Sequence, residues 1–307
     1  MPSIVITGAT SFIGRQLCLS FLQRGWHVFA VHRRNTQLLP DGVIPIQLDL
    51  HEYGKLAELV PECDAAMLLA WPGTRGKQRD DEFLQNDAFL SNLACVKALI
   101  ATGCKTIALA GSQAEYGIQT AAVPINEDDP LQPITAYGRA KKNLFEYASA
   151  LCKEGEVRLL ESRFFSVYGP GDYEGTLVIS VLKKMLQNLP CELTECKQMW
   201  DFLYVEDASE MVAKLIVSDA LAGAYNIGSG RPQTLRQYVE EMGVVAGSNS
   251  KLLFGSIPYQ DAIVPNIYPD TSKLTDAIGK PSIRPFKEGV LSTISWLLRR
   301  GKASNYL

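Results

Sequence analysis

Residues 4–14, Ile4-Val5-Ile6-Thr7-Gly8-Ala9-Thr10-Ser11-Phe12-Ile13-Gly14, constrain this chain more than any other stretch. The apolar, β-branched start reads as a buried parallel strand. A tight turn follows, and a helix opens at about Ser11 and runs through Phe21. Glycines at positions 8 and 14 let a backbone approach a pyrophosphate, and the helix N-terminus offers free N–H groups and partial positive charge. The same residues also suit an ordinary strand-to-helix turn, so the stretch needs support from the rest of the chain. The residues it places at a dinucleotide are Gly8, Thr10, Ser11, Phe12, Ile13 and Gly14.

Gly25 ends the first helix, and residues 26–32 read as a second strand. The end of that strand meets the adenosine ribose in a dinucleotide fold, where an acid hydrogen-bonds the hydroxyls of NAD. This chain has His32-Arg33-Arg34-Asn35 there, and arginine suits a 2′-phosphate. NADP is therefore expected as cofactor, with NAD as the alternative; a basic solvated loop after the strand is the plain reading of the arginines. Residues 43–50 read as a third strand ending near Asp49 and Leu50. Asp49 either accepts from the adenine amino group or caps a helix over about 52–60. Residues 64–70 form a fourth apolar run, broken by Trp71-Pro72-Gly73, with Ala70 and Trp71 at its carboxyl end. A long helix covers about 80–102, and residues 105–110 are a fifth strand with Ser112 just past its end, at the edge where open α/β sheets bind ligands. Strands and helices alternate, so the fold class is α/β, a doubly wound parallel sheet.

Composition removes several alternatives. The 307 residues are 47% hydrophobic with a formal net charge of -3, and no basic block points to nucleic acid or an anionic membrane. No apolar run approaches a membrane span, and the first strand begins at Ser3 or Ile4, so neither an anchor nor a leader is expected. Seven cysteines in no framework spacing read as free thiols in a reducing cytoplasm. Cys191 and Cys196 lack partners for zinc. The three histidines, His27, His32 and His51, all fall in the first sixth of the chain. No metal site and no histidine base in the second half is expected.

Tyr137-Gly138-Arg139-Ala140-Lys141 opens a helix through about residue 153. Tyr and Lys four apart share a helix face. A free phenol, with a pKa of about 10, is a poor base near neutrality. A neighbouring ammonium favours the phenolate and lowers that value. Ser112 then hydrogen-bonds the same substrate oxygen that Tyr137 protonates or deprotonates. A surface Tyr and Lys on an amphipathic helix is the plain alternative, but a glycine loop, a serine after a strand and Tyr-x3-Lys arrive here in one order.

The chain resembles the extended short-chain dehydrogenases/reductases, in the NAD-dependent epimerase/dehydratase group that acts mostly on nucleotide sugars. Residues 7–14 resemble Thr-Gly-x-x-Gly-Phe-Ile-Gly, with Ser11 replacing the middle glycine. Residues 86–93 resemble the family's helix from Asn-Val to Asn-Leu. Gly111-Ser112-Gln113-Ala114-Glu115-Tyr116-Gly117 resembles Ser-Ser-x-x-Val-Tyr-Gly. Residues 127–141 resemble Glu-x-x-Pro-x-x-Pro-x-x-x-Tyr-Gly-x-x-Lys. Residues 163–171 resemble Arg-x-x-Asn-Val-Tyr-Gly-Pro-Gly, residues 201–207 resemble Asp-Phe-x-x-Val-x-Asp, and residues 225–230 resemble Tyr-Asn-x-Gly-x-Gly. The resemblance implies Ser112, Tyr137 and Lys141 as catalytic residues, and adds Lys141 and Phe164 to the cofactor contacts. It implies a Rossmann domain over 1–170, with 201–228 returning to it, a smaller α/β substrate lobe mainly over 171–307, and a homodimer through the helices at about 80–102 and 137–153.

Departures from the pattern narrow the reaction. The branch that removes water from the sugar carries acids just after the catalytic serine or threonine; Gln113 and Ala114 stand there, and neither is an acid or base. Glu115 falls one residue late, at the family's valine position, and is expected to point elsewhere. The branch that inverts C3 and C5 uses a cysteine and a histidine, but Ala114 stands at the cysteine position and no histidine follows His51. Reduction of a sugar ketone and C4 epimerisation need no further acid. An epimerase regenerates its cofactor and usually keeps NAD, so Arg33 and Arg34 favour a reductase. In the substrate lobe Ser166 replaces an asparagine and Trp200 replaces an arginine, both at positions that hold diphosphate or sugar. Lys183, Lys184 and Arg231 offer charge instead, although a solvated helix face accounts for the two lysines equally. A nucleotide-linked sugar is the expected substrate, with a non-nucleotide ketone or aldehyde left open. A cofactor-sensing protein without turnover is the remaining alternative.

Overall fold

The computed structural model describes residues 1–34, 36–260 and 263–304. Asn35, in the loop after the second strand, lies outside them, as do the last three residues of the tail. In the first half, strand β1 (Ser3–Thr7) leads into helix α1 (Phe12–Gln23), β2 (His27–His32), β3 (Ile44–Gln47), a short α2 (Leu56–Leu59) and β4 (Ala65–Leu68). Helix α3 (Glu82–Ala101), β5 (Thr106–Ser112), α4 (Ala136–Glu154) and β6 (Arg158–Phe164) follow. The second half holds β7 (Ser166–Tyr168), α5 (Leu177–Leu186), β8 (Cys191–Leu193), β9 (Met199–Trp200), β10 (Phe202–Tyr204) and α6 (Val205–Val217). It continues with β11 (Gly223–Ile227), β12 (Gln233–Thr234), α7 (Leu235–Ala246), β13 (Leu252–Phe254), α8 (Ser272–Ile278) and α9 (Phe286–Ser304).

Seven strands make one sheet in the order β3-β2-β1-β4-β5-β6-β11, and every neighbouring pair is parallel. The chain runs outward from β1 to β3, then crosses back to β4, so the strand order reverses between β1 and β4. This is the doubly wound Rossmann arrangement expected, and its reversal point opens a crevice at the carboxyl ends of the strands. Parallel strands covered on both faces carry continuous apolar runs, and Ile4, Val5 and Ile6 are fully buried. One face packs against α1, α6 and α8 through Leu17, Phe21, Met211, Leu215 and Leu274. The other packs against α2, α3 and α4 through Leu56, Val96, Leu99 and Leu144. A third cluster joins α5, α7 and α9 around Leu182, Val239, Met242 and Val290. Strand β11 returns to the large sheet beside β6.

Several boundaries differ from the sequence expectation for local reasons. The helix expected over 52–60 is a 3-10 turn over Leu50–Lys55 followed by one α-helical turn, with Gly54 weakening a continuous helix. Strand β5 runs two residues further than expected, so Ser112 ends the strand instead of following it. The closing helix α9 starts at Phe286 and continues to Ser304. Pro285 disfavours helical geometry in the residue before it, so no helix propagates upstream. Its carbonyl then accepts from the Glu288 and Gly289 N–H groups. Thr234 opens α7 with a capping box: its Oγ1 accepts from the Gln237 N–H, and the Gln237 side chain returns to the Thr234 N–H.

Candidate active site

Gly8 and Gly14 are glycines because neither position has room for a Cβ. Gly8 has φ +65°, and a Cβ there would stand 2.9 Å from the Ala70 nitrogen. At Gly14 a Cβ would stand 2.3 Å from the Gly8 carbonyl oxygen. Thr7 Oγ1 accepts from the N–H groups of Leu69 and Ala70 at 3.1 and 3.3 Å, tying the ends of β1 and β4 together at the crevice. Ser11, in place of a glycine, adopts an extended backbone that any residue can hold, and its Oγ caps α1 by accepting from the Gly14 N–H at 3.1 Å. That leaves the N–H groups of Phe12 and Ile13, in the first turn of α1, without intrahelical acceptors. Two free N–H groups at the start of a 12-residue helix, beside a turn that opens on a glycine, fit the pyrophosphate of a dinucleotide.

The other residues placed at the cofactor from sequence lie along the same sheet edge. His32 is buried at the end of β2, and its Nδ1 has no protein partner. Arg33 and Arg34 follow, both exposed. Asp49, weighed as an adenine acceptor or a cap, is a cap: Oδ1 accepts from the Leu50 N–H at 2.7 Å, and Glu52 closes the box onto the Asp49 N–H at 3.1 Å. Phe164, at the end of β6, is buried and in register with Ser112.

Ser112, Tyr137 and Lys141 come together at the carboxyl end of β5. Thr135 caps α4 by accepting from the Gly138 N–H at 3.1 Å, which starts the helix one residue before Tyr137. Ser112 ends β5 beside the Tyr137 phenol, whose ionised form its hydroxyl favours. The Lys141 ammonium donates to the Ala110 carbonyl at 2.7 Å and sits 3.7 Å from the centre of the Trp71 ring. Trp71 also meets the Tyr137 ring edge-on at 6.3 Å, and its indole N–H donates to Gln85 Oε1 at 2.8 Å. Burial pulls Lys141 down from 10.5 to about 7, against the opposing pull of Glu115 and Glu161. Burial also pushes the Tyr137 phenol up, against the Ser112 hydrogen bond and the charges of Arg79 and Arg75. The sequence reading had Lys141 lower this phenol. In the structure desolvation outweighs the lowering influences, and the ammonium is 5.8 Å from the Tyr137 ring centre.

Two substrate-side departures turn out to be one feature. The Trp200 indole N–H donates to Ser166 Oγ at 2.8 Å, so the two residues that replace a polar pair bond to each other. Gln113 follows Ser112 and its Oε1 is buried without a protein donor. Arg231 is exposed and donates to the Ile283 carbonyl at 3.3 Å. Lys183 lies in the last turn of α5 and pairs with Glu174 at 2.8 Å, with both side chains well exposed. Its environment is the solvated helix face that the sequence also allowed.

Sequence reasoning passed over the supports of this site. Gln85 is buried and donates to the Gly73 and Gln78 carbonyls at 3.0 and 2.9 Å, shaping the loop after β4. Asn92 donates to the Ala70 carbonyl at 3.2 Å. Arg79 places its guanidinium 5.0 Å from the centre of the Tyr137 ring. The signal for Gln85 and Asn92 was available as polar residues on the inward side of an apolar helix. Arg79 carried none, because its loop has no periodicity. Among the described residues no group of three or more His, Cys, Asp or Glu side chains is placed to hold a metal ion, and no helix is long and apolar enough to cross a membrane.

Residues 4–228 match the model of the NAD dependent epimerase/dehydratase family. The chain belongs to that family. It is 28% identical over 268 residues to dTDP-6-deoxy-L-talose 4-dehydrogenase (NAD(+)) of Aggregatibacter actinomycetemcomitans, covering 81% of this chain and 92% of the relative. It is 24% identical over 277 residues to CDP-abequose synthase of Salmonella muenchen, covering 89% and 90%. Among solved structures, MoeE5 in complex with UDP-glucuronic acid and NAD superimposes with a TM-score of 0.83 at 26% identity, covering 97% of this chain and 99% of that one. These family likenesses agree with the recognition made from the motifs, and they make the chain an enzyme type that uses a nicotinamide dinucleotide.

Proposed function

We propose that this protein reduces a keto group on a nucleotide-linked, deoxygenated sugar, or runs that reaction in reverse. The observation that carries the reading is the Ser112–Tyr137–Lys141 constellation with Gln113 and Ala114 beside it, residues that add no acid or base. The substrate class follows from the dTDP- and CDP-sugar names of two relatives. Arg33 and Arg34, exposed at the end of β2 with no acid there, support NADP over NAD.

Gly8, the Phe12 and Ile13 N–H groups, Ala70, Trp71 and Lys141 would hold the dinucleotide, and a bound nicotinamide supplies or accepts the hydride. The residues of the chain supply the rest. Ser112 orients the carbonyl oxygen through its hydroxyl. Tyr137 donates a proton to that oxygen as negative charge develops on it. Lys141, clamped between the Ala110 carbonyl and the Trp71 ring, holds a charge beside the pair. Trp71 and the loop after β4 that Gln85 holds in place cover the site and keep water from it.

The test mixes the protein with NADPH or NADH and a dTDP- or CDP-linked 4-keto-6-deoxysugar and follows nicotinamide absorbance. Net oxidation, faster with NADPH and lost in Tyr137→Phe, is the expected result. Tightly retained NAD with interconversion of two nucleotide sugars and no net oxidation would establish the C4 epimerase instead. Equal behaviour of Tyr137→Phe and parent would overturn the enzymatic reading altogether.

A further inference from the structure

Directly behind Ser112 and Lys141 lies a cluster of ionisable groups that the reaction above does not use. Glu115 is fully buried at the end of the 3-10 turn over Gln113–Glu115. Its Oε1 accepts from the Ser112 N–H at 2.7 Å, closing a capping box on the serine. Glu161 and Arg163, two residues apart on β6, are 1% and 3% exposed. Arg163 Nε donates to Glu161 Oε2 at 2.8 Å and lies 3.6 Å from Glu115 Oε2. Its Nη1 donates to the Tyr116 hydroxyl at 3.0 Å and to the Glu127 carbonyl at 3.3 Å. The cluster is built into the sheet: a Cβ on Gly111 would stand 2.7 Å from Glu161 Cγ and 3.0 Å from Glu115 Oε1.

Two carboxyl groups gathered around one guanidinium in a dry interior are costly unless something opposes their charge. Arg163 opposes one. The other positive group is Lys141 of α4: its ammonium donates to the Ala110 carbonyl, one residue from the Gly111 against which both carboxyl side chains pack, and its charge favours the ionised form of both. The influence runs both ways: burial pushes both glutamates up and Lys141 down, while the attraction between them opposes each shift. The groups that face this cluster are thus Lys141 from α4, Glu115 and Tyr116 from the turn after β5, and Glu161 and Arg163 from β6. Arg79 and Arg75 act on Tyr137 from the loop after β4.

We propose that Glu115 and Glu161, held by Arg163, are positioning residues that keep the Lys141 side chain protonated in its dry site. The pair thereby sets the pH range in which the Tyr137–Lys141 pair works. This rests on reading Tyr137 and Lys141 as the catalytic pair, but the charge coupling itself is read without substrate.

The experiment follows the Lys141 signal in NMR spectra of protein labelled with 13C at lysine Cε, assigned with Lys141→Met, and titrates it in the parent, Glu115→Gln and Glu161→Gln. Glutamine keeps an oxygen that accepts from the Ser112 N–H, so the turn is preserved and the charge is lost. The expected result is a Lys141 midpoint at least about one pH unit lower in each variant. An unchanged midpoint in a folded variant overturns the proposal. If neither variant folds, coupling is read from the other side. In Lys141→Met the infrared carbonyl band of the buried carboxylic acids must persist to higher pH than in the parent, because such coupling is reciprocal. A band that titrates as in the parent also overturns it. If substrate turnover is in hand, the high-pH limb of kcat/KM moves down with the Lys141 midpoint in Glu115→Gln. A shifted midpoint alongside an active Tyr137→Phe would support the coupling while refuting the catalytic reading.

Discussion

Gly14→Ala tests the central claim about the first turn. The added Cβ would lie 2.3 Å from the Gly8 carbonyl oxygen, 2.9 Å from Ser11 Oγ and 3.0 Å from Ala9 Cα. The first distance falls roughly 1 Å short of ordinary contact. Its neighbour is backbone in the turn after β1, where the Gly8 carbonyl accepts from the Ser11 N–H at 2.9 Å and cannot swing away as a flexible side chain would. Overpacking of this kind costs about 1–3 kcal/mol. The Ser11 cap is pushed from the Gly14 N–H at the same time, adding about 1 kcal/mol. The expected loss of stability is therefore about 2–4 kcal/mol, read by urea denaturation. Binding should suffer more sharply. Moving the start of α1 by ~1 Å misaligns the Phe12 and Ile13 N–H groups, and a hydrogen bond to a charged group is worth about 1.5–3 kcal/mol. Loss of one such bond weakens NADPH or NADH about 10–100-fold by calorimetric titration. Gly54→Ala is the control, because nothing lies within 4 Å of a Cβ built there. Gly14→Ala with parental stability and parental dinucleotide affinity would refute both the packing argument and the placement of the cofactor.

Three further outcomes are expected. Asp201 is buried and accepts from the N–H groups of Ser229 and Gly230 at 3.2 and 2.9 Å, so Asp201→Asn should cost about 1–3 kcal/mol in denaturation, since an amide N–H turned toward those donors leaves them unpaired. Lys141 titrates at about 7 when folded and near its ordinary 10.5 when unfolded, so between these values the unfolded chain binds the extra proton and stability contributed by this group rises with pH. Lys141→Met should lack that component, a slope of at most about 1.4 kcal/mol per pH unit, and an identical slope in denaturation series would contradict the burial argument. Helices α3 and α4 leave Phe83, Leu90 and Tyr147 86%, 53% and 59% exposed, so light scattering should find a dimer that Leu90→Glu converts to monomer; a monomeric parent removes this expectation.

Local chemistry made much of this molecule readable from its residues. Gly8 and Gly14 imply a turn that no side chain can enter, whatever surrounds it. Alternating apolar strands and helices from Ile4 to Phe164 admit few arrangements besides a doubly wound parallel sheet, because strands that join the same sheet through helices run parallel. Tyr137 and Lys141 share a face because they are four apart. Asp49 and Thr234 announce caps through the acid or amide three residues later. These features depend on neighbours in sequence, and the structure holds them as read.

What tertiary structure decided are matters of burial and of charges brought together from distant segments. Whether the Tyr137 phenol is raised or lowered depends on how dry its surroundings are, and the covering loop with Trp71 and Arg79 has no periodic pattern to place it. That Ser166 and Trp200 bond to each other requires β7 and β9 to meet, 34 residues apart in the chain. Glu115 reads locally as an acid at an apolar motif position. It finds Glu161, Arg163 and Lys141 because β5, β6 and α4 converge there. Spacing fixes what neighbours in sequence can do, whereas desolvation and long-range charge depend on what folding places around a group, and no single stretch of this sequence contains that information.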